Sequence, residues 1–319
     1  MNHVRDHILT RLGMSNSPIS GDVLASELGL SRAGVWKHIQ ILKKNGAAIE
    51  AQAGKGYTLN SEVFTPGLLQ AQLSTHRIGR RITILEETGS TNQDAMQQAD
   101  AGADEGLVIF AHKQHHGKGR LGRTWHTMPE SLAASVLLRP DLPPEQVPQL
   151  SLLTAVALHD ALSRYAPDLR IKWPNDLLHH GHKVAGILTE MRAEPGRVHA
   201  VVLGFGINLK APAVGWPDDI NKPATDMASI STTPISKTRL ATAILTALDE
   251  WYDIYLQQGF APVHQAWWQA HVASGAPVSV YNGREYIQGI ARALDADGAL
   301  ILETTSGTQR IISGDLELL

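Results

Sequence analysis

The chain contains no cysteine. That absence excludes disulfide scaffolds, Cys-ligated zinc, iron–sulfur clusters and thiol nucleophiles together. Long apolar runs are missing as well, so no membrane-spanning helix is expected. The opening stretch MNHVRDHILTRLG interrupts its apolar positions with Arg5, Asp6, His7 and Arg11. It lacks the continuous apolar core of a signal peptide, and a cytoplasmic location is expected. Fifteen histidines invite a metal reading, but none is followed by Glu, so the H-E-x-x-H motif is absent. His115-His116 and His179-His180 stand beside glycine and charged residues and read as solvated loop histidines, with no metal site expected. No Gly-Lys-Ser/Thr occurs either, which removes a Walker A phosphate loop.

What is present is ordinary for a folded protein: 43% hydrophobic and 18% charged residues over 319 positions, enough for two or three domains. Charge is uneven. Residues 1–60 hold seven Lys/Arg against four Asp/Glu, a net of +3, which leaves −6 for the rest of a chain whose total is −3. A basic head on an acidic body is compatible with a nucleic-acid contact confined to the N-terminus.

Three textures follow one another, and they set the expected domains at 1–62, 63–270 and 271–319. The first carries helical periodicity. Val4, Ile8 and Leu12 make one apolar face ending near Gly13, and a second helix fits Gly21 to Leu28 with Val23, Leu24 and Leu28 inward. Gly29 supplies a sharp turn, and Ser31 caps a third helix that runs to Lys44 with Val35, Ile39 and Leu42 buried. The spacing of Ala25, Gly29 and Val35 matches a helix-turn-helix. Two short strands around Gly54-Lys55-Gly56 form a wing. Ser31, Arg32, Lys37, Gln40 and Lys55 are therefore the candidate DNA contacts, while Trp36 is read as a packing residue. The last texture has Asn282-Gly283, Asp297-Gly298 and Ser306-Gly307 between alternating apolar residues, the signature of an antiparallel barrel or meander.

The middle carries the chemistry. In HKQHHGKGRLGRTW, Gly117, Gly119 and Gly122 interleave with Lys118, Arg120 and Arg123, which lets backbone and cations approach a phosphate together. Arg170 to Asp176, RIKWPND, ends an apolar strand with polar groups. HKVAGIL then offers Lys183 at the start of the next strand. In VVLGFGINL two glycines, Gly204 and Gly206, alternate along one strand face, which implies that something lies flat on it.

In order and spacing, Ser90-Thr91-Asn92, GKGRLGRTW, KWPND, KVAGIL and GFGIN make the chain resemble the bacterial bifunctional biotin protein ligases that double as biotin-operon repressors. The winged head and C-terminal segment extend the resemblance over essentially the whole chain. It implies an α+β protein: a winged helix-turn-helix, a central mixed sheet with helices related to class II aminoacyl-tRNA synthetases, and a small SH3-like β-barrel. It also implies the activity: biotin is activated with Mg-ATP to biotinyl-5'-AMP, then transferred to a lysine of a biotin carboxyl carrier protein. The adenylate-bound form would dimerise and repress at operator DNA.

By the same resemblance, Ser90, Thr91, Asn92 and Gln114 would bind the ureido head of biotin. Lys118, Gly119 and Arg120 would close over carboxylate and phosphate, with Lys183 at their junction and Gly186, Gly204 and Gly206 lining the ligand face. Arg123, Trp125, Asn175, Asn208 and Trp216 would serve the nucleotide, with Trp125 as a pocket wall and Trp216 stacking on adenine. Arg120, Lys183 and Asp176 are the candidate catalytic residues, Asp176 for orienting or deprotonating the acceptor amine. Lys118 and Leu121 replace arginines common among enterobacterial relatives, which implies a looser loop and a weaker dimer contact there. Two simpler roles stay open: Thr91 as a helix cap, and Asp176 as an ion-pair partner of Lys172 or Lys183. Three neighbouring readings share most of these motifs. They are a biotin-sensing regulator without transfer activity, a ligase whose head no longer binds DNA, and a ligase for lipoate. Lipoate lacks a ureido group and would leave Asn92 and Gln114 unpaired.

Overall fold

Apolar spacing and capping residues set the head. In the computed structural model of the protein, which describes residues 3–128, 130–217, 220 and 223–319, a first compact unit takes the chain up to residue 74 together with 236–242. It contains α1 (His3–Gly13), α2 (Gly21–Leu28), α3 (Arg32–Lys44), the antiparallel pair β1 (Ile49–Gln52) and β2 (Gly56–Leu59), and α4 (Pro66–Gln72). Ile8, Leu12, Leu24, Val35, Ile39 and Leu42 meet in one buried cluster, the expected helix stripes turned inward. Ser20 and Ser31 accept from the backbone N–H groups of Val23 and Gly34, so each caps its helix. Gly29 ends α2 at φ 64°, the left-handed state that only glycine enters without a Cβ penalty.

Two head residues depart from expectation. Val23 is 44% exposed, because α2 is a short helix whose inward positions are Leu24 and Ala25. Trp36 is 52% exposed rather than packed. It follows Val35 by one residue, about 100° around the helix, so burying Val35 and Ile39 turns Trp36 out. It shares the open side of α3 with Arg32, Lys37 and Gln40, and Lys55 is exposed in the β1–β2 turn.

The second unit, 75–235 with 243–319, is built on a seven-stranded mixed sheet. Its elements are β3 (Arg81–Thr88), α5 (Thr91–Asp100), β4 (Leu107–Gln114), β5 (Ser131–Leu138), α6 (Val147–Ser163), β6 (Leu169–Lys172), β7 (Asp176–His179), β8 (His182–Glu194) and β9 (Arg197–Asn208). The order is β3-β4-β5-β9-β8-β7-β6, with β3 and β4 parallel and the other neighbours antiparallel. α5 packs on β4, β5 and β9, and the largely buried α6 on β6, β8 and β9. Along β9, Ala200 and Val202 face α5, and the period of two carries Gly204 and Gly206 onto that same face. After α7 (Met227–Ile230), α8 (Lys237–Gln258) and α9 (Ala261–Ala270) come β10 (Pro277–Tyr281), β11 (Tyr286–Leu294), β12 (Leu300–Thr304), β13 (Gly307–Ile311) and β14 (Asp315–Leu318). These form a five-stranded antiparallel sheet ordered β13-β12-β11-β10-β14, and Gly283, Gly298 and Gly307 take positive φ where turns were expected. Among the described residues no helix is long and apolar enough to cross a membrane.

The C-terminal sheet is seated on the body by polar contacts in apolar surroundings. Trp173, only 1% exposed, donates its indole N–H to Gly298, and Gln149 donates to Ala296. His271, 4% exposed, stacks on Trp267 at 4.5 Å and holds the Ile171 carbonyl through Nδ1, so it is a neutral donor. Burial pushes its pKa down to about 4 from 6.5. The unfolded chain binds this proton first. The contribution of His271 is therefore complete above pH about 6.5 and is lost as pH falls towards about 4, on the order of 3 kcal/mol in all. We expect urea unfolding at pH about 5 to show reduced stability relative to pH about 7.5, and His271→Phe to flatten that difference. An unchanged pH difference in the variant would refute the assignment.

Candidate functional site

The two glycines of β9 open the sheet face, and their clearance is used by this protein's own side chains. A Cβ on Gly204 would lie 2.0 Å from Asn92 Oδ1, and one on Gly206 2.3 Å from the Trp125 ring. What lies flat on the strand is thus first of all a buried asparagine and an indole. Strand register aligns Ser135, Gly204 and Leu188 across β5, β9 and β8, and Ala133, Gly206 and Gly186 across the same strands. Ser90, Thr91, Asn92, Gln114, Lys118, Gly119, Arg120, Lys183, Gly186, Gly204 and Gly206 all line one cavity over this face. The structure brings every residue expected at the biotin end together.

A polar network fixes the inner end. Thr91 donates through its backbone N–H (2.9 Å) and its hydroxyl (3.1 Å) to Gln114 Oε1, and Gln114 Nε2 donates to Thr127. Asn92 Nδ2 donates to the Leu188 carbonyl and to Glu190 at 2.8 Å. Ser135 Oγ lies 2.8 Å from Thr91 Oγ1 and 2.6 Å from Asn92 Oδ1; its single proton serves one of them at a time. Thr91 is therefore no helix cap. The cap position of α5 belongs to Ser90, which makes no side-chain cap bond, while the Thr91 hydroxyl is drawn to Gln114. Ser135, Thr127 and Glu190 were not anticipated. Ser135 had a signal, a hydroxyl at the centre of the wholly buried strand SLAASVLL; Glu190 and Thr127 had none.

The basic loop is folded on itself. Trp125 N–H donates to Gly117 O (2.8 Å), Gly119 N–H donates to Arg123 O (2.7 Å), and Lys118 bridges to Thr124. Leu121 and Gly122 form the tip at φ 56° and 75°, with Leu121 72% exposed. Two contacts tie the loop to the C-terminal sheet. Arg123 forks onto both carboxylate oxygens of Asp315, and Arg120 donates to Ser313 at 2.9 Å and to Asn175 Oδ1 at 3.3 Å. Burial pulls the Arg120 guanidinium below the usual arginine range, partly offset by Asp315 and Asp176. It stays charged, and a desolvated cation of this kind favours an incoming anion. Ser313 and Asp315 lie far along the chain from the loop, and sequence reasoning missed both.

A second cavity adjoins the first and contains Asn208 and Trp216, both expected at the nucleotide end. Asn208 is held by bonds from Nδ2 to the carbonyls of Lys183 and Thr225. Asn175 belongs to the first cavity instead. Its amide donates to Ile187 O at 2.6 Å, which turns its oxygen towards Arg120. The residues common to both cavities are Arg123, Thr124, Trp125, Asp176 and Lys183. There Lys183 Nζ meets Asp176 Oδ1 at 2.6 Å and sits 5.6 Å from the Trp125 ring centroid. Lys183 is thus an ion-pair partner of Asp176. An ammonium at the boundary of two cavities is placed to meet anionic groups arriving from both sides.

Residues 84–208 match the Biotin/lipoate A/B protein ligase family, residues 4–58 match the HTH domain and residues 273–319 the biotin protein ligase C terminal domain. The chain is 37% identical over 309 residues to the bifunctional ligase/repressor BirA of Bacillus spizizenii, covering 94% of each chain. It is 30% identical over 309 residues to the bifunctional ligase/repressor BirA of Escherichia coli, covering 94% of this chain and 92% of that one. In fold it resembles the biotin protein ligase from Aquifex aeolicus in complex with biotin and ATP, at a TM-score of 0.63 and 24% identity, over 75% of this chain and 99% of that one. The chain belongs to the family of bifunctional biotin ligase/repressors, with a ligase body, a helix-turn-helix head and the family's C-terminal domain.

Proposed function

We propose that this chain, acting in the cytoplasm, activates biotin with ATP and transfers it to a lysine of a biotin carboxyl carrier protein. With the adenylate bound, it represses transcription of biotin genes as a dimer. Functionally we divide it at 62/63 and 270/271. The observation that carries the ligase reading is the pair of adjoining cavities that share Lys183 and Asp176.

The carboxylate of biotin, held in the first cavity, attacks the α-phosphorus of ATP held in the second. One P–O bond forms, the bond to pyrophosphate breaks, and biotinyl-5'-AMP remains across the junction. Charge grows on the phosphate oxygens, where Lys183 and Arg120 neutralise it. Asp176 and Asp315 are the carboxylates among the described lining residues, and each is already ion-paired. Mg²⁺ is supplied with ATP, bound through the phosphates of the nucleotide. In the second step the carrier amine attacks the acyl carbon and AMP leaves. Asp176 is the carboxylate common to both cavities and is our candidate acceptor for the amine proton. Between steps the Arg120–Arg123 loop, latched by Ser313 and Asp315, keeps water from the anhydride.

For the head, α3 presents Arg32, Lys37 and Gln40, with Ser31 at its start and Lys55 on the wing. Trp36 joins them as an exposed neighbour. Arg32 stands 3.7 Å from Asp22 in a solvent-exposed pair, weak enough for a phosphate to replace. Dimerisation on the adenylate would set two such heads on paired half-sites.

Three outcomes are expected. Intact mass spectrometry of a carrier domain incubated with the protein, biotin and Mg-ATP should show one biotin on one lysine, and Lys183→Ala should slow this by at least ~100-fold. An unmodified carrier with the unaltered protein would overturn the ligase reading. Arg120→Gly, and more weakly Asp315→Asn, should release adenylate and place biotin on bystander lysines; strictly selective labelling by both would remove the latch from the account. Operator-fragment binding should tighten at least ~10-fold when biotin and ATP are added. Equal binding with and without them would detach the head from the site.

A further inference from the structure

The hairpin that delivers Lys183 carries a second cluster of ligating groups at its outer end. β7 begins at Asp176 and ends at His179, roughly 10 Å further along by the rise of a strand. His180 and Gly181 then make the two-residue turn, at φ 46° and 82°, before His182 opens β8. Positive φ at both central positions is the type I′ pattern. Glycine adopts it freely, and histidine is among the few other residues found there.

Adjacent strand residues point to opposite faces, so His179 and His180 would ordinarily diverge. The left-handed turn at His180 cancels that alternation: the two rings meet edge to face, 4.2 Å between centroids. The neighbouring strand adds a carboxylate. Leu169 of β6 is the register partner of His179, so Asp168, one residue earlier, comes opposite the turn, and its Oδ2 lies 3.9 Å from His180 Nε2. One ligating atom from each of Asp168, His179 and His180 falls within 4.8 Å of the others. By sequence this His-His pair reads as solvated loop residues; the fold adds the third donor.

We propose that Asp168, His179 and His180 bind a divalent transition-metal ion of the zinc and nickel class. Two imidazoles and one carboxylate are a borderline donor set that suits those ions and discriminates against Mg²⁺, whose preference is for oxygen alone. Bonds of about 2.0–2.1 Å to a tetrahedral ion set donors about 3.4 Å apart, so the side chains close in by an ångström or so on binding. Asp168 and His180 are exposed and free to swing, while His179 is half-buried and supplies the fixed donor. His182, whose Nδ1 is 3.0 Å from the His180 carbonyl, is not among the donors that lie within 4.8 Å of one another. Arg170, which lines the adjoining groove, is engaged with the carbonyls of Pro167 and Leu169. With three protein donors, the remaining coordination positions fall to water.

The test uses the full untagged chain, freed of metal with a chelator and titrated with Co²⁺ as a visible-absorbing probe. One Co²⁺ per chain is expected, displaced by Zn²⁺ and not by excess Mg²⁺. His179→Gln, Asp168→Asn and His180→Asn, the last chosen because asparagine tolerates the left-handed turn, should each weaken binding at least ~10-fold. His115→Gln should leave it unchanged. Circular dichroism melts without metal separate lost ligation from lost folding: variants that melt with the parent have lost only the site. Stoichiometric binding that survives the His179→Gln, His180→Asn double substitution, or no stoichiometric binding by the parent chain, overturns the proposal.

Discussion

The 2.6 Å pairing of Lys183 with Asp176 is the contact around which the rest of the body is arranged. β7 supplies the acid at its first residue and β8 the base at its second, and a register shift between Leu177 and Leu178 sets the two side chains against each other. Lys183 is pinned through its main chain as well. Its N–H donates to Pro223, and its carbonyl accepts from Thr225 and from the Asn208 amide. A flexible lysine stem loses much of its entropy when it is held this way. The return is an ammonium fixed where two cavities meet, before any substrate arrives.

Around that point the protein uses buried polarity for position. Asn92, Thr91 and Ser135 are each 5% exposed or less, and such groups are tolerable only because each has partners. Glycine makes the network possible, since any side chain at Gly204 would drive Asn92 off the strand. The loop is treated in the opposite manner. Its arginines are attached to the C-terminal sheet by exposed or half-buried contacts, which hold a conformation without fixing it. A rigid inner end and a releasable outer edge suit a reactive intermediate that must be protected and then surrendered.

Much of this was legible in the residues. The head's helices announced themselves through period, cap and turn glycine, because those signals are local. The paired glycines of β9 marked a close approach correctly, although their partners were Asn92 and Trp125 and not a ligand alone. What stayed hidden came from elsewhere in the chain. Glu190, Ser313 and Asp315 reach the site through strand pairing and domain packing, and nothing in their own surroundings points to it. Val23 and Trp36 were misassigned because one apolar residue too many fits a short helix pattern, and only the packed cluster decides which of them turns out. Asn175, expected at the nucleotide end, lines the first cavity for a related reason. Its side chain follows the Ile187 backbone, which spacing along the sequence does not encode.

If the Lys183–Asp176 boundary joins two substrate cavities, the protein should hold one molecule that spans both. The direct measurement is native mass spectrometry of the purified chain after incubation with biotin and Mg-ATP, followed by release and identification of whatever remains bound. The account predicts biotinyl-5'-AMP at one per site. Biotin and a nucleotide retained as separate molecules, with no mixed anhydride formed, would contradict it.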